Sequence, residues 1–243
     1  MYSKEFFRVQ LAFATILSKK RGISYEHVLF QYTCIYVRLF GYLDERPPQE
    51  TDAIWVDFIH GLPRSKKGQL EYIYKKYLER ETLPKKPTNL TRFGCFSYSY
   101  HKNTNQFELH FGAHDPKGNL GKDRVSARMQ DWKNLCKDIY AQNKHDATGK
   151  IDTWLLQIDA FRRLLPPLFV QSAKPLYTDA TQTFTYWGPL LDRHGRVKSS
   201  MRKELIKNLR TENYIHVEDY FPRRAYTSEV PIQVFYDYYL FSH

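Results

Sequence analysis

Residues 106–124 read QFELHFGAHDPKGNLGKDR, and the fold turns on how this stretch divides. Phe107, Leu109 and Phe111 alternate with Glu108 and His110, the two-residue period of a strand with one apolar and one polar face. Gly118 and Gly121 then stand among Lys117, Lys122 and Arg124 and end the alternation. Val125, Met129, Trp132, Cys136 and Ile139 follow at intervals of four and three, which predicts a helix over 123–142. The order is strand, glycine-bearing loop, helix. Amides at a helix start have no intrahelical partner and sit at the positive end of the dipole, and glycines let a ligand approach the backbone. Such a loop suits a phosphate. It has neither the G-x-x-x-x-G-K-[ST] nor the G-x-G-x-x-G spacing, and a polar turn capped by Asp123 fits the same residues.

Outward from this stretch the pattern extends both ways. FGCFSYSY (93–100) reads as a strand joined to 106–113 by the hairpin loop HKNTN. TWLLQI (153–158) is a nearly continuous apolar run, expected of a central strand. DAFRRLL (159–165) reads as a short helix stopped by Pro166 and Pro167. TFTYWG (183–188) reads as a strand, 198–210 as a basic helix and VPIQVFYDYYLF (230–241) as a last strand. Residues before 82 read as helices. Phe6, Gln10, Phe13 and Leu17 share a face that ends at Gly22. Ser24 caps a second helix over 25–40, and 51–61 and 67–80 make two more. TLPKKPTNL (82–90) reads as a connection. The expected class is α+β: a mixed β-sheet with packed helices over 90–243, preceded by a helical region over 1–82, the two packed as one unit.

Composition bounds the function. The chain has 243 residues, 42% hydrophobic and 16% aromatic, enough for a sizeable core. Its longest apolar stretches fall short of the ~20 residues of a membrane span, and its start lacks a cationic lead into an apolar run. A soluble, cytoplasmic protein with no membrane partner is expected. Cys34, Cys95 and Cys136 are far apart and form no C-x-x-C pair, which argues against a disulfide framework or a cysteine zinc site. The net charge of +11 is spread along the chain and favours anionic ligands. One segment concentrates it: Arg193 to Arg210 carries seven basic residues and one acid.

The order of strand 106–113, glycine loop, helix 123–142, strand 153–158 and short helix 159–165 resembles the core of the GNAT acyltransferase superfamily. The resemblance covers about a third of the chain. It implies a fold in which the loop and helix start bind the pyrophosphate of acyl-CoA and the pantetheine arm runs between two splayed strands. It places Lys117, Gly118, Asn119, Gly121 and Lys122 at the phosphates. The family loop usually reads [QR]-x-x-G-x-[GA], whereas two residues separate Gly118 from Gly121 here. FGCFSY, WLLQIDAFRRLLPP and YWGPLLDRHG also resemble stretches of bacterial proteins of unknown function.

On this reading Glu108 or His110 takes a proton from an attacking amine, and Tyr186 protonates the leaving thiolate. No metal is expected, although His101, His110, His114 and Asp115 lie near one hairpin. Asp192 and His194 stand two apart with no nucleophile placed beside them. The alternative is a non-enzymatic module binding nucleic acid or an acidic partner through the basic 193–210 segment. A phosphate-bearing small molecule remains the ligand expected first.

Overall fold

The computed structural model describes residues 1–41, 48–83, 90–112, 120–178, 181–182 and 184–241. In chain order the elements are α1 (Lys4–Arg21), α2 (Tyr25–Tyr32), α3 (Ile35–Phe40), α4 (Ala53–His60) and α5 (Lys66–Glu81), then β1 (Thr91–Phe93), β2 (Phe96–His101) and β3 (Gln106–Phe111). There follow α6 (Val125–Tyr140), β4 (Thr148–Thr153), α7 (Asp159–Arg162), α8 (Pro167–Gln171), β5 (Lys174–Pro175), α9 (Phe184–Trp187), α10 (Ser199–Thr211), β6 (Tyr226–Pro231) and α11 (Gln233–Tyr236). The class is α+β with a mixed sheet and a helical N-terminal region. No helix among the described residues is long and apolar enough to cross a membrane.

The chain forms two units, one of residues 1–86 and 177–224, the other of 87–176 and 225–243. Residues 177–224 therefore belong with the N-terminal helices, so the helical part is not confined to 1–82. In this unit α1 buries Phe6, Phe7, Phe13 and Leu17 and stops at Gly22, whose φ of 65° suits glycine. Ser24 caps α2 by accepting the His27 amide. The expected 25–40 helix is two. The Cys34 amide donates to the buried Gln10 side chain at 2.9 Å, and Ile35 donates to the Thr33 hydroxyl at 3.3 Å. Where a strand over 183–188 is expected, the described residues form α9 and a 3₁₀ turn over Gly188–Leu190. The Trp187 indole N–H donates to the Thr181 and Tyr32 carbonyls, and its ring packs on Phe13 and Phe221. Burying that indole takes precedence over strand propensity.

The second unit is a six-stranded sheet of order β1-β2-β3-β4-β6-β5. Among the described strands only β3 and β4 run parallel, joined through α6; the other neighbours are antiparallel. On one face Phe107, Leu109 and Ile151 pack under α6, where Trp132 lies on Phe96 and stacks on Tyr239. The expected strand at 153–158 is a 3₁₀ turn, because Thr153 accepts the Leu155 amide and curls the chain. The strand lies just before it, at 148–153. The expected 230–241 strand ends at Pro231 and continues as α11 and a π-helix over Asp237–Phe241. Ile232 makes the last sheet-side bond, to the Ala147 carbonyl, and the rings of Phe235 and Tyr239 then turn onto Trp132.

Candidate functional site

The polar face of the sheet carries the side chains suited to chemistry. The alternation that buries Phe107 and Leu109 turns Glu108 and His110 to the other side. Cross-strand register sets Ser99 opposite Glu108, Glu108 opposite Lys150 and Lys150 opposite Glu229, and it sets Ser97 opposite His110. His101 Nε2 lies 3.0 Å from Glu108 Oε2, and His110 Nε2 lies 4.0 Å from the same oxygen. Ser99 Oγ is 3.2 Å from His110 Nε2 and 3.5 Å from His101 Nε2. Glu108 and Ser99 thus both sit between two imidazoles. Lys150 pairs with Asp152 at 3.0 Å. A cavity of about 620 Å³ opens here, lined by Tyr100, His101, Lys102, Gln106, Glu108 and Lys150 among others.

The electrostatics favour a base. Burial pushes the His110 pKa below the ordinary imidazole value, against the opposing pull of Glu108 and with a further push from His101. His110 is therefore neutral near pH 7 and able to accept a proton. Ser99 and Glu108 approach the same ring nitrogen, so the group is not a serine–histidine–acid relay, which needs opposite ring nitrogens. Among the described residues no group of three or more His, Cys, Asp or Glu is arranged to hold a metal ion.

Beside this cluster the sheet divides. β3 and β4 pair over three registered positions, from Gln106 with Thr148 to Glu108 with Lys150. Beyond that, β3 stays with β2 out to Phe111 and β4 stays with β6 out to Thr153. Gly112 donates to the Cys95 carbonyl on the β2 side at 2.8 Å. By alternation the Phe111 amide points the other way, into the gap. Glu108 stands at the vertex of this wedge. The Phe111 ring closes its core side by packing edge-on against Phe161 at 5.3 Å.

The loop leading to α6 is described only from Leu120. Lys117, Gly118 and Asn119 lie outside the described residues, as do His114 and Asp115. Gly121 precedes a 3₁₀ turn over Lys122–Arg124 that leads into α6. The Arg124 amide bonds the Gly121 carbonyl at 3.0 Å, and the Asp123 carboxylate folds back over Gly121, where a Cβ would collide with it. An acid thus already sits near the helix start. Arg163 donates to the Leu120 carbonyl at 3.0 Å and ties the loop to the segment after α7.

Tyr186 belongs to the helical unit, where it is fully buried and packs on Phe221. Asp192 and His194 form a turn: the Asp192 carboxylate accepts the His194 and Arg196 amides, which hold its pKa down at about 2. Ser99 and Lys150 complete the sheet-face cluster without having been singled out in the sequence. The alternation of FSYSYH signals Ser99, whereas TGKIDT is too short and polar to declare itself a strand. Comparison with protein-family models, curated proteins and solved structures returned no match to this chain.

Proposed function

We propose that this protein is an acyltransferase that takes its acyl group from an acyl-CoA donor, with the donor's extended arm in the wedge between β3 and β4. The observation that carries the reading is that wedge: a parallel pair joined by a helix, parting after Glu108 and Lys150 while both strands keep their outer partners. A strand edge inside a sheet offers backbone groups at the spacing of an extended, amide-bearing chain. The Phe111 amide is one such donor. The diphosphate end would lie at 116–122, where Gly121 and Lys122 precede α6.

In the reaction an amine attacks the thioester carbonyl, the C–N bond forms, the C–S bond breaks and the thiolate leaves. His110, neutral and beside Glu108, takes the amine proton, and Glu108 stabilises the imidazolium that results. Water reprotonates the thiolate. Tyr186 is enclosed in the helical unit, and no step is carried forward for it.

The test is thermal stability with coenzyme A, acetyl-CoA, pantetheine and a short oligonucleotide, followed by thiol release with amine acceptors. A ligand at ~100 times its dissociation constant adds about 2.7 kcal/mol to the folded state. Stabilisation by the coenzyme, less by pantetheine and none by the oligonucleotide supports the reading. No response to saturating coenzyme removes it, and a response to the oligonucleotide alone favours the nucleic-acid alternative.

A further inference from the structure

The helical unit holds a groove whose lining differs from that of the sheet-face cluster. Glu5, in the first turn of α1, meets Arg202 near the start of α10 at 2.6 Å and also pairs with Arg8. At the far end Lys20 and Arg21 reach the carbonyls of Glu212 and Ile215, just past α10. The two helices therefore run parallel, tied at both ends. Between the ties lies a groove of about 580 Å³ with Val9, Ala12, Ile16 and Ile206 as its apolar floor.

One rim of the groove is basic. Lys203, Lys207 and Arg210 stand at i, i+4 and i+7 on α10, and all three are exposed. Among the described residues none of them forms an ion pair, and neither does Glu204, the one acid in α10. The rim extends about 10 Å, and the α1 wall from Glu5 to Ile16 about 16 Å, at 1.5 Å per residue.

We propose that this groove docks an acidic amphipathic helix of a partner protein, about three turns long. An apolar floor calls for apolar side chains, which a phosphate backbone does not supply. Three cations on successive turns call for several anions in a row, which a single-headed amphiphile does not supply. An amphipathic helix presents both, with apolar residues at i, i+3, i+4 and i+7 and carboxylates along one flank. It would lie against α1 and α10 as a third helix at ordinary packing distance.

The probe is a fluorescein-labelled peptide of about 11 residues, with leucines at those positions and glutamates on one flank, read by fluorescence anisotropy against the full chain. A scrambled peptide of equal composition, a version with lysine for glutamate, dodecyl phosphate and an oligonucleotide are run beside it. The acidic amphipathic peptide should bind, weaken as salt is raised, and lose about tenfold in affinity with Lys203→Glu, Lys207→Glu and Arg210→Glu together. Ala12→Phe, which fills the floor, should weaken it at unchanged charge. Circular dichroism confirms the fold of each variant, and the triple alanine variant replaces any that unfolds. Equal binding of the scrambled peptide, indifference to the rim variants, or binding only of dodecyl phosphate or oligonucleotide overturns the proposal.

Discussion

Glu108 on β3 stands directly opposite Lys150 on β4, and theirs is the last registered pair before the two strands part. The carboxylate is thus fixed by the sheet at the vertex of the wedge, in a row with Ser99 and Glu229. On the proposed acyltransferase reading, a carboxylate held there would steady a protonated His110 without a loop having to order first. Glu108→Gln keeps the shape and removes the charge that steadies a protonated His110. Transfer should fall by about 10–10³, the effect of removing an opposite charge within ~4–6 Å of the imidazolium, while coenzyme affinity changes little. Steady-state rates beside a binding titration separate the two. Unchanged turnover would remove Glu108 from the chemistry.

His110 makes stability depend on pH with a definite sign. Its folded pKa lies below the unfolded value of about 6.5, chiefly through burial, so the unfolded chain binds more protons in the interval between them. The penalty is absent above about pH 6.5 and grows as pH falls through that value. It levels off below the folded pKa. Urea unfolding of wild type and His110→Gln at pH 7.5 and 5.5 should show the wild type losing more on acidification. Parallel losses in the two proteins would mean that the imidazole is not desolvated.

Two glycines with positive φ should respond differently to alanine. Gly22 (φ 65°) has nothing within 4 Å of a new Cβ, so Gly22→Ala carries only the left-handed backbone strain, about 1–2 kcal/mol. Gly94 (φ 56°) has the Asp131 carboxylate where the Cβ would go. That carboxylate pairs with the buried Arg128 at 3.2 Å and accepts the Cys95 amide. Displacing it disturbs an ion pair made by the buried Arg128, and a buried charge that loses its partner costs about 3–5 kcal/mol. Denaturant midpoints should place Gly94→Ala well below Gly22→Ala, and equal losses would refute the crowding argument.

What could be read from the sequence follows from where each signal originates. The strand of Phe107, Leu109 and Phe111 and the helix of Trp132, Cys136 and Ile139 were legible because one face of each is buried, and burial writes its own period. Gly22 and Ser24 were legible because capping is local. TWLLQI misled because an apolar turn and a central strand look alike over six residues. What decided it was Thr153 accepting the Leu155 amide. VPIQVFYDYYLF misled for a long-range reason: Phe235 and Tyr239 turn onto Trp132, about a hundred residues earlier. Glu108 and His110 announced themselves as the polar alternates of a strand. Ser99 and Lys150 joined them only through register, which depends on the pairing of distant segments.

The break between α2 and α3 provides the last test. The apolar stripe from Val28 to Leu39 runs through it, so periodicity alone demands one helix. Instead Gln10, fully buried on α1, accepts the Cys34 amide at 2.9 Å and donates to the Phe6 carbonyl at 3.3 Å. A side chain from a neighbouring helix thus replaces the bond that a continuous helix would make. Gln10→Met keeps most of the volume but cannot accept that amide. It should cost about 1–3 kcal/mol, the penalty of a buried donor left without a partner. Gln10→Ala should cost more by the lost packing. Urea denaturation of the two variants separates the contributions. A methionine variant as stable as wild type would show that the Cys34 amide finds another acceptor and that Gln10 does not set the break.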